Sequence, residues 1–139
     1  MKKTKIEFIN HASVLISHGA ISILSDPWYM GPAFHNGWRL IHEFDNNKIS
    51  DILSRTSHIY ISHEHPDHFS TNFFLNKENQ EIIKNNNIKI IFQYTKDKRI
   101  INFLKKLGLS VKEFYEYEKV KLSSEVEIQI VKHDFIDSS

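Results

Sequence analysis

The stretch HIYISHEHPDHF, from His58 to Phe69, constrains the fold more than any other part of the chain. Its first half is short and rich in β-branched and aromatic residues, the pattern of a buried strand. Its second half gathers His63, His65, Asp67 and His68 around Pro66. The strand therefore runs out of the core at His63 and opens a polar loop at its carboxyl end. Layered α/β proteins place their ligand sites at such ends.

The neighbouring segments supply the rest of the sheet. Ile6 and Phe8 alternate with polar residues, then SVLIS and ISILS flank an HGA turn, as in a hairpin. NKISDILSRT predicts a short helix, and Ser70 or Thr71 is placed to cap a second one running towards Lys84. The asparagines at 85–87 read as a turn, and IKIIFQ as a strand. In KDKRIINFLKKLG, Ile100, Ile101, Leu104 and Leu107 recur at helical spacing, lysines fill the opposite face, and Gly108 sits at the C-cap. VKEFYEY and EVEIQIVK read as late strands. This order predicts an α/β, or α+β layered, domain with a mixed sheet and helices on one face.

Composition removes several functions. The chain has no cysteine, which excludes disulfides, thiolate metal sites, Fe–S clusters and cysteine nucleophiles. A net charge of +1, with acids and lysines interspersed, gives no attraction to nucleic acid or membranes. The N-terminus lacks the apolar core of a signal peptide, and no apolar run reaches a membrane span of about 18 residues. The expected location is cytoplasmic.

The histidine cluster reads as a metal site. Neutral imidazole and carboxylate are good ligands for zinc and accept iron or manganese. His63 and His65, at i and i+2 on an extended strand end, project to the same side and can grip one ion. Beyond the Pro66 turn, Asp67 and His68 point to a neighbouring position, a layout that suits one or two divalent ions. A chance H-x-H-x-D-H in such a composition is on the order of one in a thousand. The bland alternative is surface histidines with Asp67 capping the next helix. The site still lacks a ligand, and His133, at the end of the last alternating strand, is the candidate, with Asp134 and Asp137 as alternatives.

H-x-H-x-D-H after an apolar strand, preceded by a hairpin ending in Asp26 of LSDPW, resembles the metallo-β-lactamase-fold superfamily. That resemblance implies the N-terminal half of an αββα sandwich. It also implies one metal held by His63, His65 and His133, and a second held in part by Asp67 and His68. Asp26 would then orient ligands from behind, and His11 of NHAS would face the site. NHASVLIS and ILSDPW look similar to lactonase-like and N-acyl-phosphatidylethanolamine phospholipase-like members. DPWYMGPAFHNGWRLIHE followed by SHIYISHEHPDHFS looks closer to the metallo-β-lactamase-like part of CMP-N-acetylneuraminate hydroxylases. Those hydroxylases also carry a Rieske centre held partly by cysteine, which this chain has no residue to match. By the same resemblance the bridging aspartate and final histidine would lie beyond Ser139. The 139 residues are then expected to be a partial domain of a unit of about 200–250 residues, with weak or no turnover alone.

The function implied is a metal-dependent hydrolase, in which a metal-bound hydroxide attacks an ester, lactone, amide or phosphodiester. Asp67 serves as ligand and proton acceptor. The alternatives are a nucleotide-sugar oxygenase-related domain and a non-catalytic metal-binding half-domain. The expected partner is a small-molecule substrate carrying phosphate or sugar. Trp28, Phe34 and Trp38 lie in a long Pro- and Gly-bearing loop beside the site, where they either wall a substrate pocket or cover the sheet as core. Arg39 either binds an anion or forms a surface ion pair. His18, His35, His42 and His58 are expected to be structural or solvated.

Overall fold

The computed structural model describes residues 2–132. The chain opens with three antiparallel strands, β1 (Lys5–Asn10), β2 (Ser13–His18) and β3 (Ile21–Ser25). Gly19, at φ +59°, supplies the left-handed position in the tight turn between β2 and β3, where His18 pairs with Ile21. The β1–β2 turn is equally tight, but there the left-handed residue is His11 (φ 48°). α1 (Asn46–Ser54) follows the long loop and is capped by Asp45, whose side chain accepts from the Lys48 N–H. Then come β4 (His58–Ile61), α2 (Thr71–Leu75), α3 (Lys77–Asn85), β5 (Lys89–Gln93), α4 (Arg99–Lys106) and β6 (Val111–Phe114). The six strands form one mixed sheet in sequential order, with β3, β4, β5 and β6 mutually parallel.

Parallel register stacks Leu24, Ile59, Ile90 and Val111 in one row across the sheet. With Leu15, Ile61 and Phe92 they form a face packed under residues of the helices, among them Ile52, Leu53, Phe74, Ile83 and Leu104. Burying each such side chain contributes about 1.5–3 kcal/mol, which makes the parallel strands a rigid base for whatever their carboxyl ends carry. The helices thus lie on one face, as the sequence predicts. On the other face, a hairpin of β7 (Lys119–Lys121) and β8 (Glu127–Gln129) packs Val120, Ile128 and Ile130 against Ile91, Phe114 and Tyr60. Over β1 the same face is open, with Ile6 and Phe8 about 70% exposed.

Two expectations need correction. The single helix towards Lys84 is two helices, because Asn76 (φ −65°, ψ 120°) leaves helical geometry and its side chain caps α3 by accepting from the Asn79 N–H. The last alternating segment does not join the main sheet. It pairs with the short KVK strand, whose flanking charges and length gave no periodic signal. His133, Asp134 and Asp137 lie outside the described residues. Among the described residues no helix is long and apolar enough to cross a membrane.

Candidate metal centre

The site forms where three chain reversals meet at the carboxyl ends of β3 and β4. Asp26 ends β3 in a left-handed conformation (φ 36°), and its backbone N–H still donates to the Tyr60 carbonyl, extending the parallel ladder by one rung. That rung sets the Asp26 carboxylate against the end of β4. Oδ1 accepts from the Ser62 backbone N–H at 2.7 Å, and Oδ2 accepts from the Ser62 hydroxyl at 2.6 Å. The next reversal is local. Pro66 occupies the second position of a turn in which the His68 and Phe69 N–H groups both donate to the His65 carbonyl. This turn folds Asp67 and His68 back over the strand end. The third reversal, the β1–β2 turn, brings in His11.

These reversals draw the side chains together. His68 donates from Nδ1 to Asp26 Oδ2 at 2.7 Å, which in the neutral ring leaves Nε2 as a lone pair. His11 donates from Nε2 to Asp67 Oδ2 at 2.9 Å. His68 Nε2 lies 3.3 Å from the same oxygen. One ligand atom from each of His11, Asp67 and His68 falls within 4.8 Å of the others. His63 stacks against this group, its ring centroid 4.1 Å from that of His68 and 4.6 Å from that of His65. His65 is exposed, with Phe34 at 6.2 Å as its aromatic neighbour on the outer side.

The electrostatics follow from burial and neighbours. Burial pushes the Asp67 carboxyl upward, but the His11 hydrogen bond, the nearby His68 and a backbone hydrogen bond together outweigh it, and its pKa lies below the ordinary value. Asp67 is therefore an acceptor only at neutral pH. Burial, then His68 and His65, hold His63 below the ordinary imidazole value, so it is neutral there. These are the protonation states a divalent cation requires of its ligands. The donor set itself fits one. With Asp26 taking the Nδ1 proton, a neutral His68 ring would turn an Nε2 lone pair towards Asp67 Oδ2, and a cation between the two would be bound by both.

Of the residues singled out in the sequence, Asp26, His63, His65, Asp67 and His68 thus share one end of the sheet. His11 faces the site as expected, bonded to Asp67, and its Nε2 lies close enough to Asp67 and His68 to share an ion with them. Trp28 is 2% exposed, its ring centroid 5.0 Å from that of His11 and its Nε1 donating to the Gly31 carbonyl. Phe34 and Trp38 are exposed and pack edge to face at 5.0 Å in a loop closed by the Ala33–Trp38 bridge. Ser62 was missed. A serine after an apolar strand has no signal of its own, and its importance shows only once Asp26 is seen beside it.

A cleft of about 590 Å³ continues from His63 and Glu64 along the ends of β5 and β6. Tyr94 and Tyr115 stack in its wall at 4.7 Å, and Lys96 and Lys132 line it. Arg99, also in the lining, is tied to Asp97 and Glu64.

The sequence profile of the beta-lactamase superfamily domain matches residues 5–134. The chain belongs to that superfamily. Its fold is the metallo-β-lactamase fold. It is similar to cytidine monophosphate-N-acetylneuraminic acid hydroxylase of Asterias rubens, 38% identical over 82 residues that make up 58% of this chain and 12% of that protein. The chain therefore spans a small part of the curated relative it matches. Among solved structures, a mutant of the CmlA beta-hydroxylase superposes with a TM-score of 0.58 at 21% identity, over 88% of this chain and 23% of that one. A Veillonella parvula protein described as "a possible metal-dependent hydrolase" gives 0.54 at 17% identity, over 88% and 44%. At those identities the two likenesses carry the fold alone.

Proposed function

We propose that the superfamily domain in this chain is a metal-dependent hydrolase acting on an ester, lactone, amide or phosphodiester, with zinc as the expected ion. The observation that carries this reading is the convergence of His11, Asp67 and His68 on one point, with His68 held from behind by buried Asp26. A bound divalent cation supplies water activation and charge stabilisation at the reacting oxygen. The chain's own residues do the rest. Asp67, ionised at neutral pH, anchors the cation; its lowered pKa makes it a weaker base, so proton acceptance is its secondary role. Asp26 fixes the His68 ring so that Nε2 faces the ligand group. His63 and His65 offer two further imidazoles beside it. His133, which lies outside the described residues, is proposed as an additional ligand on the family resemblance alone.

The substrate we infer is a small molecule whose reacting group meets the histidines while its remainder lies in the adjoining cleft. The Tyr94–Tyr115 stack and the two lysines suit a ring-bearing, phosphate- or sugar-containing compound. Phe34 and Trp38 would cover it from the loop side, with Trp28 backing His11.

The similarity to CMP-N-acetylneuraminic acid hydroxylases favours a second reading, an oxygenase-related domain acting on a nucleotide sugar. Metal analysis of the purified protein, combined with assays on p-nitrophenyl esters and bis-p-nitrophenyl phosphate, separates the two. Zinc is the expected metal, and hydrolysis of either substrate supports the first reading. Redox-active iron without hydrolysis favours the second reading, and no uptake of zinc, iron or manganese overturns both.

A further inference from the structure

We propose that Ser62 is a positioning residue that extends the hold of Asp26 to a second imidazole, so that one buried carboxylate sets the tautomers of both His68 and His63. The inference builds on the metal-centre reading and rests on a count of protons. A serine hydroxyl has one proton to donate and lone pairs to accept with. Ser62 Oγ has three neighbours that compete for it: Asp26 Oδ2 at 2.6 Å, His63 Nδ1 at 2.8 Å and His68 Nδ1 at 3.4 Å. A carboxylate can only accept, and its contact is the shortest of the three, so the hydroxyl proton lies towards Asp26. The 2.8 Å contact with His63 then requires the imidazole to be the donor. His63 carries its proton on Nδ1, and its Nε2 is a free lone pair.

His68 reaches the same state by bonding Asp26 Oδ2 directly at 2.7 Å. The two rings, 4.1 Å apart, therefore present the same nitrogen as acceptor. The device is rigid. The Ser62 backbone N–H is itself anchored on Asp26 Oδ1, and the Asp26 N–H on the Tyr60 carbonyl, so serine and aspartate are locked across the ends of β3 and β4. Without the hydroxyl, Nδ1 of His63 has no partner among the described residues, and nothing there selects its tautomer.

The test is ¹⁵N spectroscopy of the histidine rings in the metal-free protein, read well above the ordinary imidazole range. Both His63 and His68 are expected in the Nδ1–H form. Ser62→Ala should release His63 into a mixture or into the Nε2–H form while leaving His68, which bonds Asp26 itself, unchanged. Ser62→Thr should restore His63. In a chelator competition, zinc affinity should fall about 10- to 100-fold in Ser62→Ala and recover in Ser62→Thr. An Nε2–H tautomer of His63 in the unmodified protein overturns the inference, as does a His63 spectrum that Ser62→Ala leaves intact. If Ser62→Ala does not fold, the unmodified spectrum alone decides. Because the tautomers are read without metal, a protein that takes up no zinc counts against the metal reading only.

Discussion

The two halves of the HEHPDH segment are built differently. Asp67 and His68 are held on several sides: Asp67 is 5% exposed and bonded by His11, and His68 is bonded by Asp26. His65, two residues from Asp67, is exposed, and among the described residues its ring neighbours are those of His63 and Phe34. His63 stands between these extremes, tied through Ser62. The second half is a prepared seat and the first half a looser arm. The cause is the turn at Pro66, which folds one half over the sheet end and leaves the other along the emerging strand. A centre of this kind gains affinity where ligands are already ordered, since those side chains lose little freedom on binding.

Asp26→Ala should produce the largest effect of any single change at the site. It strips the acceptor from three donors at once, the Ser62 N–H, the Ser62 hydroxyl and His68 Nδ1. A fully buried donor left unpaired costs about 1–3 kcal/mol; these three are half-buried, so the lower part of the combined range, roughly 3–5 kcal/mol, is expected. In a chain of this size that lowers the melting temperature by roughly 10–15 °C. His65→Ala, at an exposed position, should stay within about 0.5 kcal/mol of the unmodified protein. Thermal unfolding of the two variants side by side checks this. Equal losses would mean that the two halves are not held differently.

Asp67→Asn sharpens the comparison on the binding side. The amide oxygen can still accept from His11, so the fold should persist with a melting temperature close to the original. What disappears is the charge. Zinc affinity is expected to fall by more than about 100-fold, beyond the 10- to 100-fold typical of residues that act from behind the ligands. His65→Ala should cost less than Asp67→Asn in the same competition assay. A larger loss at His65 would reverse the assignment of seat and arm.

Much of this arrangement is legible in the sequence, for identifiable reasons. The hairpin shows through its HGA turn, α4 through the spacing of Ile101 and Leu104 and the glycine after it, and the clustering of His63, His65, Asp67 and His68 through the density of histidine in one short loop. Each is a local signal with a local cause. What sequence could not supply depends on contact between distant segments. Nothing near Asn76 announces that its side chain will cap a new helix in place of a continued one. KVK is too short to show a period. His11 reaches Asp67 because β1 and β2 reverse with that residue in a left-handed turn, and Ser62 matters because Asp26 happens to end the neighbouring strand. Trp28 and Trp38 share a loop, a residue type and a contact with His11, yet one is 2% exposed and the other 53%, a difference that no local pattern announces.

The smallest expected effect concerns His63, the residue between seat and arm, and it appears only as a pH dependence of stability in the metal-free protein. Burial first, and then His68 and His65, lower its pKa below the ordinary value of 6.5. In the unfolded chain this imidazole gains a proton as the pH falls through about 6.5, while in the folded protein it stays neutral to a lower pH. The unfolded state then binds more protons, and stability declines through that window until the folded pKa is passed. Above 6.5 the contribution is fully present. Asp67 adds no slope there, because a carboxyl depressed below 3.8 in the folded state loses its contribution only at more acid pH. His58, lowered by burial and by Lys89, adds a slope of the same sign and remains in any His63 variant. Urea unfolding of the metal-free protein above and below the imidazole range should therefore show a shallower, not an absent, pH dependence in His63→Gln. An unchanged slope would mean that His63 is as freely protonated in the folded protein as in the unfolded chain, which would place it wholly in the arm.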